Sequence, residues 1–548
     1  MCNAKVGGFV SAREDTLVNG QGEPFLLRGV GLGNWLLPEG YMWQFKGWAD
    51  RPRRIEQLTR DLLGEDAASR FWEVFRDRYI GEEDIRRIAR EGFNSIRLPM
   101  NARTLLSGSG SQILDPAMIG HIDRIIEWCR EHGLYVILDL HGAPGGQTGT
   151  NIDDSENDLP ELFLSQEHQQ TTVDLWRELA RRYRDEWTVA GYDLLNEPLP
   201  EWFGAHNDKV LPLYSRIVKA IRAVDRRHLI ILEGVHWATD WSVFTDRIDD
   251  NLMLQFHKYW NNPDPESLRP FLRKRSEWNV PIFMGEGGEN NLQWYAGAFG
   301  LYEDFDISWN FWTWKKLDTS NSPVSIRRPP GWENLVAYAA GGEAPAREEA
   351  QGILHSYLEN LPTGRCDYRP DVVNAILRRP SVTIPAVFYS YEDEKPLCEV
   401  SRTDGSAAET TDTANAPDVP RFRVSDDLPI RFAADGGTLS FEHTAGEPWT
   451  ESQWLCLELA TGDRASYTLE IPADCDRVDV EIERVVRPGD GDADLLLWFG
   501  GAQSPTWVRL KAGAARSNPV ALSVEPGVRR LTIRVETGSV RLKALKLS

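Results

Sequence analysis

Between about Phe25 and Leu377 the chain alternates eight short apolar runs with longer amphipathic segments, and this alternation restricts the fold more than any other feature. The runs are FLLRGVGLG from Phe25, FNSIRLPM from Phe93, LYVILDLHG from Leu134, VAGYDLLNEP from Val189, HLIILEG from His228, NLMLQFH from Asn251, PIFMGEG from Pro281 and ISWNFWTW from Ile307. Short apolar runs separated by helical patterns describe strands covered on both faces, hence a parallel sheet with helical crossovers. One crossover, GHIDRIIEWCREHG, sets Ile122, Ile125, Ile126 and Cys129 on a single stripe and closes on a His-Gly stop. Eight such units predict an α/β fold, a closed (β/α)8 TIM barrel, assigned to residues 1–380.

After Pro380 the helical period gives way to alternation at every second residue, the pattern of half-buried strands. SVTIPAVFYSY, RVDVEIERVV and DLLLWFG read as strands, and the segment from Arg530 to the end reads as a hairpin-like pair around Thr537 and Gly538. Residues 381–548 are therefore expected to form an all-β sandwich, either structural or carbohydrate-binding, with the polar stretch Thr403–Pro420 as a loop or linker.

Charge and cysteine content exclude several classes of function. With 61 Lys and Arg against 83 Asp and Glu, the formal charge of −22 repels phosphate backbones, so no nucleic-acid partner is expected. No apolar stretch reaches the 18 residues or so of a membrane span, and no membrane insertion is expected. The opening MCNAKVGGFVSARED has no apolar run behind a basic start, which predicts a cytoplasmic protein, or a secreted one if a leader has been removed. The six cysteines form no C-x-x-C pair, which argues for reduced thiols. His121, His132 and His168 lack ligand spacing, Asp153 and Asp154 lack the series of a calcium loop, and GAPGGQTG lacks the Lys-Ser/Thr ending of a phosphate loop, so neither a metal nor another cofactor is expected.

In a parallel barrel the strand C-termini build the reactive face. Here they deliver Asn34, Arg97, His141, Asn196, Glu197, Glu233, His236, His257, Tyr259, Glu286 and Trp312. An apolar strand gains no stability from ending in an ionisable group, which costs several kcal/mol unless paired or solvated. Glu197 after the fourth run and Glu286 after the seventh can face each other across the mouth. Glycoside hydrolysis needs such a pair, one acid for the leaving oxygen and one carboxylate for the anomeric carbon, and Arg97 is available as an electropositive support.

The runs RGVGLGNWLLPE, NSIRLPM, DLHGAPGGQTG, DLLNEP, FHKY, GEGG and FWTWK, in this order over about residues 25–320, resemble glycoside hydrolase family 5 of the retaining barrel clan. The resemblance implies that Glu197 is the general acid/base, with a raised pKa, and Glu286 the charged nucleophile. It further implies that Arg97 supports the nucleophile, Asn196 holds the 2-hydroxyl of the glycone, Tyr259 bonds the nucleophile, His141 and His257 line the same subsite, and Trp312 forms its floor. W-L-x-x-E and H-G-A-P-G-x-Q-x-G resemble the exo-acting β-1,3-glucanase and β-glucosidase branch, in which Glu39 and a loop acid, Asp153 or Asp154, would hold hydroxyls at the non-reducing end.

Trp202, Trp237, Trp241, Trp260 and Trp294 fall after the fourth to seventh runs, where leaving-group sugars or aglycones would bind; Trp237 and Trp260 are taken as substrate contacts. The expected activity is a retaining β-glycosidase, exo-acting on β-glucosides or β-1,3-glucan oligosaccharides. The alternatives are an endo-acting, cellulase-like β-glucanase, a glycosidase of glycolipids or plant glycosides, and a barrel that binds carbohydrate without hydrolysing it.

Overall fold

The computed structural model describes residues 5–108, 113–401, 420–434, 447–500 and 504–548. Cys2 and nearly all of the expected linker, residues 403–419, lie outside the described residues. The eight apolar runs form β1 (Arg28–Gly31), β2 (Ser95–Asn101), β3 (Tyr135–Gly142), β4 (Val189–Asp193), β5 (Leu229–Glu233), β6 (Leu252–His257), β7 (Ile282–Gly288) and β8 (Ser308–Trp312). All eight pair in parallel, each with its sequence neighbour, and β8 closes on β1 through Trp309 opposite Arg28. A closed ring leaves no unpaired edge.

The lower end of the barrel is apolar. Leu27, Tyr135, Ile137, Ala190, Leu229, Ile231, Met253 and Phe283, from the strand starts, cluster with Val10 and Leu17 of the N-terminal hairpin and with Phe25. The predicted crossover is a helix, Pro116–His132, that buries Ile122, Ile125, Ile126 and Cys129. Asp115 caps it by accepting from Ala117 N and Met118 N, and Gly133 ends it at φ 72°, a left-handed value that glycine adopts without strain.

The chain divides into two compact units. One comprises Met1–Lys258, Phe271–Gly288 and Ser308–Arg369; the other comprises Tyr259–Pro270, Glu289–Ile307 and Pro370–Ser548. In the second, the described C-terminal residues build antiparallel sheets of six and five strands, with a further two-stranded pair of Tyr391–Glu392 and Lys395–Pro396. The expected first strand is present as Val382–Pro385, paired with Ala544–Leu547. The terminal pair corrects the expectation of a hairpin. Gly527–Thr537 pairs with Arg464–Ile471 and Ala493–Phe499 in the five-stranded sheet, whereas Ser539–Leu547 pairs with Leu455–Ala460 and Arg477–Val485 in the other. Gly538, at φ 83°, carries the chain from one sheet to the other. Alternation specifies a strand's two faces but not its partner.

Candidate active site

Successive inward positions on the strands turn from apolar to charged as the chain climbs the barrel. On β3 they are Ile137, Asp139 and His141; on β5, Ile231 and Glu233; on β6, Met253, Gln255 and His257. The first of each set belongs to the apolar core, and the residues above it are buried polar groups.

Arg97 of β2 sits among these groups with no solvent exposure. Its guanidinium donates to Asp193 at 2.8 Å, to Glu233 Oε1 at 2.9 Å and to Asn196 Oδ1 at 2.8 Å, bonds Glu286 Oε1, and lies 3.2 Å from Asp139 Oδ1. Burial alone would make the guanidinium less basic, but the carboxylates of Asp139, Asp193, Glu286 and Glu233 outweigh it and hold its pKa well above the ordinary value. Lysine, a point charge, could not span these acceptors as a planar fork does. Asp193 shows the complementary effect: burial raises its pKa strongly, against Arg97 and with Glu233 and Asp139 adding repulsion.

Above Arg97 the two predicted carboxylates meet, Glu197 6% and Glu286 3% exposed. One oxygen of each and one nitrogen of His257 all lie within 4.8 Å of one another. His257 Nδ1 is hydrogen-bonded to Glu197 Oε1 at 2.7 Å and is 3.6 Å from Glu286 Oε2. A β-bulge helps bring Glu286 here: β6 faces β7 as Phe256 to Met284 and then His257 to Glu286, so Gly285 is skipped and the next side chain is re-aimed. Burial raises the Glu286 pKa, His257 and Arg97 lower it, Glu197 raises it further, and His141 lowers it. Glu286, expected from the sequence to be the charged partner, has its pKa raised because burial outweighs its cationic neighbours. His257 is itself pushed well above its ordinary value, because Glu233, Glu286 and the bond to Glu197 overcome the opposing effect of burial.

His141 and Trp312 form a wall beside this pair. Their rings are parallel within 1° at a centroid distance of 5.4 Å. The Trp312 ring covers Gly31 and Gly33, where an added Cβ would come within 2.5 and 2.7 Å of it. His141 Nδ1 bonds Asp139 Oδ2 at 2.8 Å; burial works against the charged ring, but Asp139, Glu286 and Glu39 bring its pKa up to about 9. Asn196 lies between Arg97 and His141, with Nδ2 3.3 Å from His141 Nε2. Gln147 ties the strand ends together by donating to His141 O at 2.7 Å and Asn196 O at 2.9 Å while accepting from Ala143 N.

The other predicted residues separate into several groups. Glu39 is buried on a loop organised by Asn34, which accepts from Glu39 N at 3.2 Å and Trp43 Nε1 at 2.7 Å. Asp153, expected to reach a sugar hydroxyl, accepts instead from Thr148 N, Gly149 N and Ser155 N and is fully buried. Asp154 accepts from Arg53 N and Asn101 Nδ2 and bonds Arg103. Asp153 holds the loop, because its turns leave backbone N–H groups that water cannot reach, whereas Asp154 ties the loop to Arg53, Asn101 and Arg103.

Trp237 packs edge-on to Trp202 at 5.8 Å, and Trp202 is 65% exposed. Trp241 and Trp294 prove to be core residues, their N–H groups donating to Gln255 O and Asn261 O. Tyr259 and Trp260 belong to the second unit, their rings 5.8 Å apart and Trp260 59% exposed.

Asp139, Asp193, Gln255 and Gln147 were not among the site residues expected from the sequence. The signal for the first three is an ionisable or amide residue at an inward position below the end of an apolar run. By geometry, Glu197, His257 and Glu286 could also take a cation; here His257 and Glu197 satisfy each other.

Residues 64–318 match the model of the cellulase family, glycosyl hydrolase family 5. The barrel is a family 5 glycoside hydrolase domain. Among curated relatives, the family 5 barrel is similar to a beta-xylosidase of Phanerodontia chrysosporium, 27% identical over 337 residues that cover 55% of this chain and 69% of the other. It is also similar to endoglucanase C of Acetivibrio thermocellus, 26% identical over 304 residues that cover 44% and 86% respectively. A probable glucan 1,3-beta-glucosidase A of Aspergillus fumigatus is 30% identical over 243 residues, covering 43% of this chain and 56% of that protein. The family 5 assignment makes the chain a glycoside hydrolase acting on carbohydrate. Among the described residues no helix is long and apolar enough to cross a membrane.

Proposed function

We propose that the protein hydrolyses β-glycosides with retention of anomeric configuration, with Glu286 as nucleophile and Glu197 as general acid/base. The observation that carries this reading is the approach of the two carboxylates, with oxygens within 4.8 Å of each other and of a His257 nitrogen. Retaining enzymes hold their carboxyl groups about 5 to 5.5 Å apart, whereas inverting enzymes leave about 6.5 to 9.5 Å for an intervening water. A Glu286 oxygen attacks the anomeric carbon as its bond to the leaving oxygen breaks, and that oxygen takes the proton of Glu197. The Glu197 carboxylate then takes a proton from water as its oxygen attacks the same carbon and releases Glu286. Arg97 and His257 favour the anionic form of Glu286 that the first step requires.

The finer assignment is exo-action on β-glucosides or β-1,3-glucan oligosaccharides. Its support is the buried Glu39, which acts electrostatically on His141, and the parallel rings of His141 and Trp312, together with similarity to a beta-xylosidase and a glucan 1,3-beta-glucosidase. Similarity to endoglucanase C favours internal cleavage as a second reading. Product analysis on β-1,3- and β-1,4-linked oligosaccharides separates them: one sugar released from the chain end supports exo-action, and mixed oligomers support the endo reading. Glu286→Gln is expected to keep the wild-type melting curve and to lose turnover by several orders of magnitude; substantial residual hydrolysis would reject the assignment. Proton NMR of the first-formed product should show the β-anomer, and an α-product would reject double displacement.

A further inference from the structure

Glu233 is the last residue of β5 and is wholly buried, yet it is neither of the two carboxylates assigned to the reaction. An unpaired carboxylate in such a place would be expensive, and this one is paired on both oxygens. Oε2 accepts from the backbone N–H of Glu197 at 2.7 Å. Oε1 accepts from Arg97 at 2.9 Å and from Gln255 Nε2 at 2.5 Å, and it lies 3.4 Å from His257 Nε2. Tyr214 OH donates to the Glu233 main-chain carbonyl at 2.9 Å, which anchors the strand end itself.

Two of these contacts converge on Glu197. Its backbone is left-handed, at φ 45°, an unfavourable conformation for a residue with a Cβ, and the Glu233 bond to its N–H helps hold that turn. The Glu197 carboxyl is held from the other side by His257 Nδ1, and the opposite nitrogen of that ring lies 3.4 Å from Glu233 Oε1 and 3.0 Å from the Gln255 Nε2 that also bonds Glu233. We infer that Glu233 is the positioning residue of the general acid/base: one oxygen fixes the Glu197 backbone, and the other orients the imidazole that aims the Glu197 carboxyl. The inference rests on the reading of Glu197 as acid/base. Glu233 does not touch the reacting atoms in this scheme; it acts through Glu197 and His257.

Arg97 also bonds Glu233, so a competing role on the nucleophile side has to be separated from this one. Leaving-group dependence does so. A dinitrophenyl β-glycoside expels its leaving group without protonation, whereas an alkyl or sugar leaving group requires the acid, whose contribution is typically about 100-fold or more. In Glu233→Gln one amide oxygen remains for the Glu197 N–H, but the amide NH2 then faces the donors of Arg97 and Gln255. The expected result for full-length Glu233→Gln is a loss of kcat/KM of about 100-fold on a methyl or disaccharide β-glycoside, with less than about 5-fold loss of the glycosylation step on the dinitrophenyl substrate. Glu233→Asp, which keeps the charge but withdraws it by one methylene, should show the same selectivity at smaller amplitude and serves if the glutamine variant does not fold. Equal losses on both substrates, or no loss on either, would overturn the proposal. Glu197→Ala is run in parallel. If it lacks the leaving-group selectivity, the acid/base assignment itself fails; if it shows selectivity and neither Glu233 variant does, only the role of Glu233 fails.

Discussion

Arg97 and Asp304 show two opposite fates of a charge that the fold withdraws from water. Burial opposes the charge of Arg97, but the carboxylates around it outweigh that cost and keep it ionised. Asp304 of the second unit is pushed up to about 7: burial disfavours its charge more than Arg378, Arg423 and bonds from Tyr391 N and Ser390 restore it. Its folded pKa lies above the ordinary value of 3.8, so the folded state binds a proton that the unfolded chain releases. The stabilisation is fully present below about pH 4, declines as pH rises through about 7, and amounts to a few kcal/mol at most by linkage, about 1.4 kcal/mol per pKa unit. Asp304→Asn should flatten this part of the pH dependence of the melting temperature; an unchanged slope between pH 4 and 8 would refute it. At this scale the sequence was informative where the side chain ends an apolar run, as Glu197 and Glu286 do. It was silent about Asp304, because desolvation depends on what packs around a group.

At the scale of the element, the β6–β7 pair decides where Glu286 points. Gly285 occupies the bulge, and a Cβ there would lie 2.1 Å from Gln255 Cδ. Gln255 in turn bonds Glu233 and approaches His257. Gly285→Ala should therefore displace the Gln255 side chain, lower activity by about 10-fold or more through misplaced catalytic groups, and destabilise the fold by about 1 to 3 kcal/mol, as overpacking does. Kinetics with chemical denaturation check both, and wild-type values on both counts would show that the bulge tolerates a side chain. The eight strands were legible because their apolar runs are long and bounded. The bulge was not legible, because M-G-E-G-G carries no mark of which residue the neighbouring strand skips. The same limit explains the terminal strands, whose period was read correctly and whose pairing was not.

For the whole molecule, the two units do not follow the order of the chain. The helix Leu292–Asp304, which joins β7 to β8, belongs to the second unit. There Ala296 O accepts from Arg378, the site of Gly297 lies against the Phe388 ring, and Asn291 Nδ2 donates to Glu447 O. Deleting everything after Pro380 removes the last two of these partners. The truncated chain should accumulate as insoluble or protease-sensitive material; a soluble, active barrel would instead mark the C-terminal sheets as a separable module. Among their tryptophans Trp507 is the most exposed, at 61%.

The sequence by itself determined the barrel, the strand ends from which the chemistry comes, and the family whose motifs those ends carry, because periodicity and local chemistry are properties of contiguous residues. Tertiary structure alone decided which buried carboxylates surround Arg97, that Asp153 holds its own loop, that burial raises the Glu286 pKa against its cationic neighbours, and that Gly538 joins two sheets. Each of these is set by the distance and dielectric between residues far apart in the chain, and neither quantity is written in the order of the amino acids.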